Sequence, residues 1–170
     1  MHLPQTFPEG ENTIFAVIET PAGNRNKYVY DSENDYFKLK KVLPAGTSFP
    51  LDFGFIPHTK GEDGDPLDVL VIMDLPAFPG CVVECRVIGV LEAEQKEKEQ
   101  KKIRNDRIVA VAAASIQHAD LEALDNIDKH LLNDVIHFFK YYNAMEGKKF
   151  KLLRKGSRKS ALALIKKHML

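Results

Sequence analysis

The chain has 170 residues, of which 44% are hydrophobic and 28% are charged, and this balance is typical of a globular protein with one sizeable core. Its 24 basic residues match its 24 acidic residues, so it is not built as a whole to coat nucleic acid or an acidic membrane. We expect a single domain over residues 1–170, with neither nucleic acid nor a membrane as a partner.

The first two thirds of the chain carries the signals of β-strands. Short apolar or alternating runs end at turn residues, as at Pro21-Ala22-Gly23 and at Pro44-Ala45-Gly46. The predicted strands cover residues 14–19, 27–30, 36–43, 48–56, 67–73, 81–90 and 107–114. The highly charged stretch between the last two is predicted to form an exposed hairpin.

The final third changes to a helical period. Between residues 124 and 145 the apolar side chains recur at helical spacing: Ile127, Leu131, Leu132, Val135, Ile136, Phe138, Phe139 and Tyr142. Gly147 is a plausible stop, and a shorter helix is predicted over residues 157–169. Strands first and helices last predict an α+β fold that is mainly β, a small barrel or curled sheet with two C-terminal helices packed on it.

The two cysteines, Cys81 and Cys85, fall in one predicted strand. Four residues of strand span about 13 Å, which is too far for a disulfide, and two thiols alone do not make a zinc site. The N-terminus has no charged region followed by an apolar one, and no window approaches 18 apolar residues. We therefore expect a cytoplasmic protein with reduced thiols.

Three aspartates crowd the sequence GEDGDPLDVL, which begins at residue 61: Asp63, Asp65 and Asp68. Pro66 pushes the residue before it into an extended conformation, and the glycine between the first two aspartates permits a bend. The bend can bring the three carboxylates together, where each pair costs roughly 4 kcal/mol at 4 Å and an effective dielectric of ~20. Cations would offset that repulsion, and all-oxygen ligation selects Mg²⁺, Mn²⁺ or Ca²⁺.

Two alternatives exist for this segment. An acidic surface turn remains open from the local sequence alone, since aspartate and glycine both favour turns. A calcium loop of the EF-hand kind fits poorly, because its sixth position is Asp68 instead of glycine and its twelfth is Asp74 instead of glutamate.

The order Asp63-Gly64-Asp65-Pro66-Leu67-Asp68 resembles the signature of the soluble family I inorganic pyrophosphatases. Further segments that resemble this family are residues 17–23, 27–28, 49–59 and 137–148, so that the resemblance covers about residues 14–150. It implies an OB-like five-stranded barrel with helices packed on it. It also implies hydrolysis of inorganic diphosphate with Mg²⁺ as cofactor, and a homo-oligomer, with a hexamer favoured.

The resemblance also implies a role for each matching residue. Asp65 would be the catalytic base that accepts the proton of the attacking water. The phosphate oxygens would be held by Lys27, Lys41, Arg107 and Tyr142. The Mg²⁺ ions would be held by Asp63, Asp68 and Glu19, and by Asp106 if the backbone there shifts by one residue relative to the family.

The chain departs from the family pattern at several site positions. The family has an acid at Val29, an arginine at Lys41, tyrosines at Phe49 and Phe53, an acid at Asn105, and lysines at Arg107 and Asn143. Cations that face phosphate and carboxylates that face metal are therefore both reduced. The alternative function is a catalytically weakened or inactive protein of the same fold that binds phosphate or metal.

The C-terminal stretch from Gly147 to Leu170 suggests two weaker alternatives, because it holds nine basic residues and no acid. OB-like barrels often bind single-stranded nucleic acid, but this stretch has no aromatic residue beyond Phe150 to stack on bases. We predict that two thirds of it is a solvated helix face. A basic amphipathic helix around residues 161–165 that binds a membrane is the less favoured alternative.

Overall fold

The computed structural model describes residues 2–8, 12–97 and 99–170. Within these ranges the strands are β1 (Thr13–Thr20), β2 (Asn26–Asp31), β3 (Tyr36–Val42), β4 (Asp52–Phe55), β5 (Asp68–Ile72), β6 (Val82–Lys96), β7 (Ile103–Arg104), β8 (Arg107–Ala112) and β9 (Lys149–Ser157). The helices are α1 (Lys129–Met145) and α2 (Arg158–Lys167), and a 3-10 turn at Leu124–Asn126 precedes α1.

Five of these strands close into a ring. Strand β1 pairs with β4, β4 with β5, β5 with β8, β8 with β6, and β6 again with β1. The pairing of β5 with β8 is parallel and the other four are antiparallel. Strand β9 adds to β6, and β2 pairs with β3 in a separate sheet. The predicted mainly β, α+β fold with an OB-like ring of five strands and two C-terminal helices is confirmed.

The central strand β5 shows why the ring is stable. Its side chains alternate between two hydrophobic clusters, as strand geometry requires. Val69 and Val71 face the cluster that includes side chains of α2, whereas Leu70 and Ile72 face the cluster beneath α1. A strand buried on both faces has a continuous apolar sequence. The charged residue at its first position, Asp68, therefore marks the end of the buried segment.

Both helices begin at a capping side chain and pack one apolar face on the sheet. The Asp128 carboxylate accepts backbone N–H bonds from the first turn of α1, and the Ser157 hydroxyl does the same for α2. Helix α1 buries Leu132 and Phe139 among other residues, and α2 buries Ile165. Neither helix in the described part of the chain is long and apolar enough to cross a membrane.

Strands β6 and β9 differ from the prediction. We predicted that the first of these ends at residue 90, but it continues to Lys96, and we predicted no strand after residue 114. The two strands pair from Gly89 opposite Ser157 to Lys96 opposite Lys149. The basic C-terminal stretch is thus divided between strand β9 and helix α2, and the prediction that two thirds of it is a helix face was wrong.

A close backbone contact in β4 predicts a large loss of stability in one variant. A Cβ added to Gly54 would lie 2.0 Å from the Val17 carbonyl oxygen and 2.9 Å from the Ile18 Cα. These are backbone atoms of a paired strand and cannot rotate away. We expect Gly54→Ala to lower the free energy of unfolding by about 3 kcal/mol or more, measured by urea denaturation.

The matched control is Gly23→Ala. Gly23 has φ +75° and nothing within 4 Å of an added Cβ, so only its left-handed backbone opposes the substitution. Its expected cost is about 1–2 kcal/mol. Equal stability of Gly54→Ala and the unaltered protein would show that β1 and β4 do not pack as described.

Candidate active site

A cleft of about 790 Å³ lies between the β2–β3 hairpin, the loop before β5, the β6–β7 hairpin and the end of α1. Seven of the predicted site residues line it: Glu19, Lys27, Asp63, Asp65, Asp68, Arg107 and Tyr142. The two others, Lys41 and Asp106, are not among its lining residues. The fold thus gathers side chains from four strands, one helix and the loop before β5 around one cavity.

The loop before β5 bends as the sequence predicts. Its ends are tied by the Gly61 N–H, which donates to the Asp65 carbonyl oxygen at 2.7 Å. Gly64 adopts φ +92°, a conformation that costs glycine little. The Asp65 N–H donates to the Asp63 carboxylate at 3.2 Å, which fixes the first carboxylate of the loop. Both carboxylates then lie on the cleft together with Asp68.

Asp68 occupies the first position of β5, beside Arg107 of β8. Its side chain is 23% exposed, and no donor among the described residues makes a hydrogen bond to its carboxylate. Burial raises the pKa of Asp68 to about 6, against the lowering effect of Arg107 and Lys27 and with a further raising effect from Glu19 and Asp63. Carboxylates therefore repel one another at the floor of the cleft.

Lys27 reaches the same floor from β2. Its ammonium lies 3.5 Å from a Glu19 carboxylate oxygen and 3.9 Å from the centre of the Phe53 ring. Burial lowers the pKa of Lys27, although Glu19 and Asp68 partly oppose that shift. The second Glu19 oxygen accepts the Tyr30 N–H at 2.8 Å. The Phe53 ring thus holds the ammonium by a cation–π contact.

Arg107 is the most enclosed cation of the cleft, with a side chain only 4% exposed. Its guanidinium lies 4.1 Å from the Phe139 ring centre and 5.3 Å from that of Phe150. Its Nη1 donates to the Asn105 carbonyl oxygen at 3.0 Å. Its Nε lies 3.8 Å from Asp68 and has no hydrogen-bond partner among the described residues. An unsatisfied buried donor is costly, so an anionic ligand would be favoured beside it.

Tyr142 and Lys41 meet at the end of α1. The Lys41 ammonium lies 4.0 Å above the Tyr142 ring and forms an ion pair with Glu146. Burial raises the pKa of Tyr142, so its hydroxyl stays protonated and can donate a hydrogen bond at neutral pH. Lys41 is therefore beside the cleft but already has an anionic partner.

Asp106 is not a lining residue of this cleft. Asn105 and Arg107 line the cleft, whereas Asp106 lines a smaller neighbouring cavity of about 140 Å³ together with Asp63, Asp68 and Asn105. The Asp106 carboxylate accepts the Ala93 N–H at 2.9 Å and Arg104 Nη2 at 2.8 Å. Arg104 thus pairs with this carboxylate, and the role of Asp106 as a metal ligand stays a prediction.

The described residues contain no group of three or more His, Cys, Asp or Glu side chains close enough to hold a metal ion. The donor chemistry of the cleft nevertheless fits a hard divalent cation. Glu19, Asp63 and Asp68 offer carboxylate oxygens, and their mutual repulsion contributes to the raised pKa of Asp68. A divalent cation would offset this repulsion.

Several charged residues of the cleft were not predicted from the sequence. Lys40, Glu97, Glu146 and Lys148 line the cavity, and Lys148 pairs with Glu97 at 3.1 Å. Lys40 was detectable in principle, because β3 alternates lysines on one face. The acidic residues had no local signal, because their partners lie far away in the chain.

Comparisons with known proteins agree with this arrangement. Residues 16–170 match the family model described as inorganic pyrophosphatase. The inorganic pyrophosphatase of Halalkalibacterium halodurans is 43% identical over 136 residues, which cover 80% of each chain.

Solved structures extend the agreement to the fold. The structure of an inorganic pyrophosphatase from Thermus thermophilus has a TM-score of 0.87 at 36% identity, and the match covers 96% of this chain and 92% of that one. That of Helicobacter pylori has a TM-score of 0.88 at 28% identity, with 99% and 96% covered. Both matches include nearly the whole of this chain.

Proposed function

The chain belongs to the inorganic pyrophosphatase family, and we propose that it hydrolyses inorganic diphosphate to two phosphates with Mg²⁺ as its metal ion. The observation that supports this most is the shared cleft, where the carboxylates of Asp63, Asp65 and Asp68 lie with the buried cations of Lys27 and Arg107. Carboxylates suit a metal and a proton transfer, and buried cations suit phosphate oxygens.

We assign Asp63, Asp68 and Glu19 to metal binding. Their oxygens meet the preference of Mg²⁺, and the raised pKa of Asp68 has burial as its main cause and the other two carboxylates as further causes. When bound, the metal would polarise phosphoryl oxygens and make the attacking water more acidic.

We assign Asp65 the role of general base. It lies at an exposed position of the loop and on the cleft, and its carboxylate makes no hydrogen bond to the described residues. It is therefore free to accept the proton of a water that attacks phosphorus, and to release that proton to solvent.

We assign Lys27, Arg107 and Tyr142 to the phosphate oxygens, with Lys41 joining them from the edge of the cleft. Charge that develops on the leaving phosphate is stabilised by donors that are already in place. Lys27 and Arg107 are both buried, so water does not weaken their attraction for the anion as it would at the surface. The Tyr142 hydroxyl adds a neutral donor.

Phosphorus NMR of purified protein with diphosphate and Mg²⁺ tests the reaction. We expect the diphosphate signal to be replaced by two equivalents of phosphate, and no conversion in EDTA. No conversion with Mg²⁺, together with diphosphate binding measured by calorimetry, would support the alternative, a binding protein without catalysis.

We also propose that the protein is cytoplasmic and forms a homo-oligomer, with a hexamer favoured. The free thiols of Cys81 and Cys85 are consistent with a reducing compartment. Leu75, Phe78 and Ile116 are exposed apolar side chains that an interface between copies would cover. Light scattering that gives the mass of one 19.2 kDa chain would contradict the homo-oligomer. Secretion of the protein would contradict the cytoplasmic location.

A further inference from the structure

Glu146 lies at the end of α1, immediately before Gly147, which has φ +72°. Its carboxylate pairs with the ammonium of Lys41, a residue of β3 that is 105 positions earlier in the sequence. The two side chains are 31% and 27% exposed. The pair thus links the β2–β3 hairpin to the end of α1, beside the cleft that Glu146 lines.

The same carboxylate also acts on Tyr142, one helical turn earlier. After burial, Glu146 is the largest cause that raises the pKa of Tyr142. Lys41 lies 4.0 Å above the Tyr142 ring, so the three side chains form one group. Two of the residues that we assign to phosphate therefore lie in the field of an acid that belongs to the protein itself.

A carboxylate and a phosphate oxygen are alternative partners for the same ammonium. A phosphate that approaches Lys41 while Glu146 is paired with it meets a second negative charge at close range. Phosphate can use Lys41 fully only when the Glu146 carboxylate moves away. That movement is open to it, because Lys41 is the one hydrogen-bond partner of the carboxylate among the described residues.

We propose that Glu146 is an internal anion that competes with diphosphate for Lys41 and thereby sets the affinity of the cleft for phosphate groups. This inference rests on the proposed function, since it assumes that Lys41 binds the substrate. Glu146 is in this sense a residue that determines affinity and not a catalytic residue. Because the pair is partly exposed, its removal should change affinity by about two- to fivefold.

The test is Glu146→Gln, which keeps the side-chain shape and removes the charge. We expect KM for diphosphate to fall about two- to fivefold with little change in kcat. We also expect the dissociation constant for inorganic phosphate, measured by calorimetry without Mg²⁺, to fall by a similar factor. Glu146→Asp, which shortens the reach to Lys41, should shift both constants in the same direction.

A Lys41→Met background separates competition for Lys41 from a general change of charge. In that background Glu146→Gln should change both constants by a smaller factor than it does in the unaltered protein, because only its longer-range repulsion of phosphate is left to remove. The matched control is Glu33→Gln, which removes another exposed carboxylate from the same cleft without touching Lys41.

Three results would overturn the inference. These are an unchanged or higher dissociation constant for phosphate in Glu146→Gln, an equal fall in Glu33→Gln, and an equal fall in the Lys41→Met background. A different result would separate the two proposals: the unaltered protein does not hydrolyse diphosphate, but Glu146→Gln still binds inorganic phosphate more tightly. That result would contradict the proposed function and leave the proposed competition for Lys41 intact.

Discussion

Replacement of Asp65 by asparagine should lower the rate of phosphate release from diphosphate by about 10²- to 10⁴-fold, the range expected when a general base is removed. Asparagine has nearly the same shape but cannot accept the proton of the attacking water. The loop should keep its structure, because the hydrogen bonds of Asp65 within it are made by its backbone. Its N–H donates to the Asp63 carboxylate, and its carbonyl oxygen accepts the Gly61 N–H. The measurement is initial phosphate release at saturating Mg²⁺ and diphosphate.

The control for this variant is Asp120→Asn, which removes an exposed carboxylate that does not line the proposed active-site cleft. Both variants should unfold within about 0.5 kcal/mol of the unaltered protein in urea. A rate for Asp65→Asn close to that of the control would show that another group accepts the proton.

Replacement of Arg107 by methionine should lower kcat/KM by about 10²- to 10³-fold, as expected for the loss of a buried donor to a developing oxyanion. Methionine retains apolar contact with Phe139 but leaves the partly buried Asp68 without its neighbouring cation. Arg107→Lys keeps a positive charge and loses one charged hydrogen bond and the planar stacking. We therefore expect a smaller loss for lysine, about tenfold.

The kcat/KM values of the two Arg107 variants, compared with each other, distinguish two roles of the guanidinium. If the guanidinium only neutralises Asp68, Arg107→Lys should have the full activity of the unaltered protein. If the planar guanidinium binds phosphate through two N–H groups, Arg107→Lys should be more active than Arg107→Met but less active than the unaltered protein. Arg158→Met, which removes an arginine on α2 that does not line the cleft, controls for loss of charge. Equal kcat/KM in Arg107→Met and Arg158→Met would remove Arg107 from the proposed mechanism.

The strands with apolar sequences were predictable because burial itself imposes their pattern. The runs that became β1, β5 and β8 are apolar on both faces, and each was located to within two residues at either end. Strand β9 has an exposed, basic sequence and forms because β6 supplies its hydrogen-bond partners. That partner lies far away in the chain, so local periodicity could not reveal the strand.

The site was predictable where its residues are consecutive and hard to predict where a fold brings them together. The bend that groups Asp63 and Asp65 follows from glycine and proline nearby. The ion pair of Lys41 with Glu146 joins residues 105 positions apart, and no local pattern connects them.

The direction of Asp106 depended on the length of a hairpin. The charged insertion between β6 and β8 left the register of Asn105 and Asp106 open, because one added residue exchanges the two faces of a strand. In the structure Asn105 lines the cleft, and the Asp106 carboxylate accepts a hydrogen bond from Arg104. The metal ligands that we propose, Asp63, Asp68 and Glu19, all line the cleft, whereas a metal-binding role for Asp106 stays a prediction.

The most direct test of the central claim is the rate of phosphate release from diphosphate as a function of free Mg²⁺. We predict no release in the presence of a chelator, a saturable rise as Mg²⁺ is added back, and two phosphates per diphosphate consumed. Release that is independent of Mg²⁺, or no release at any Mg²⁺ concentration, would contradict a metal-dependent hydrolysis in this cleft.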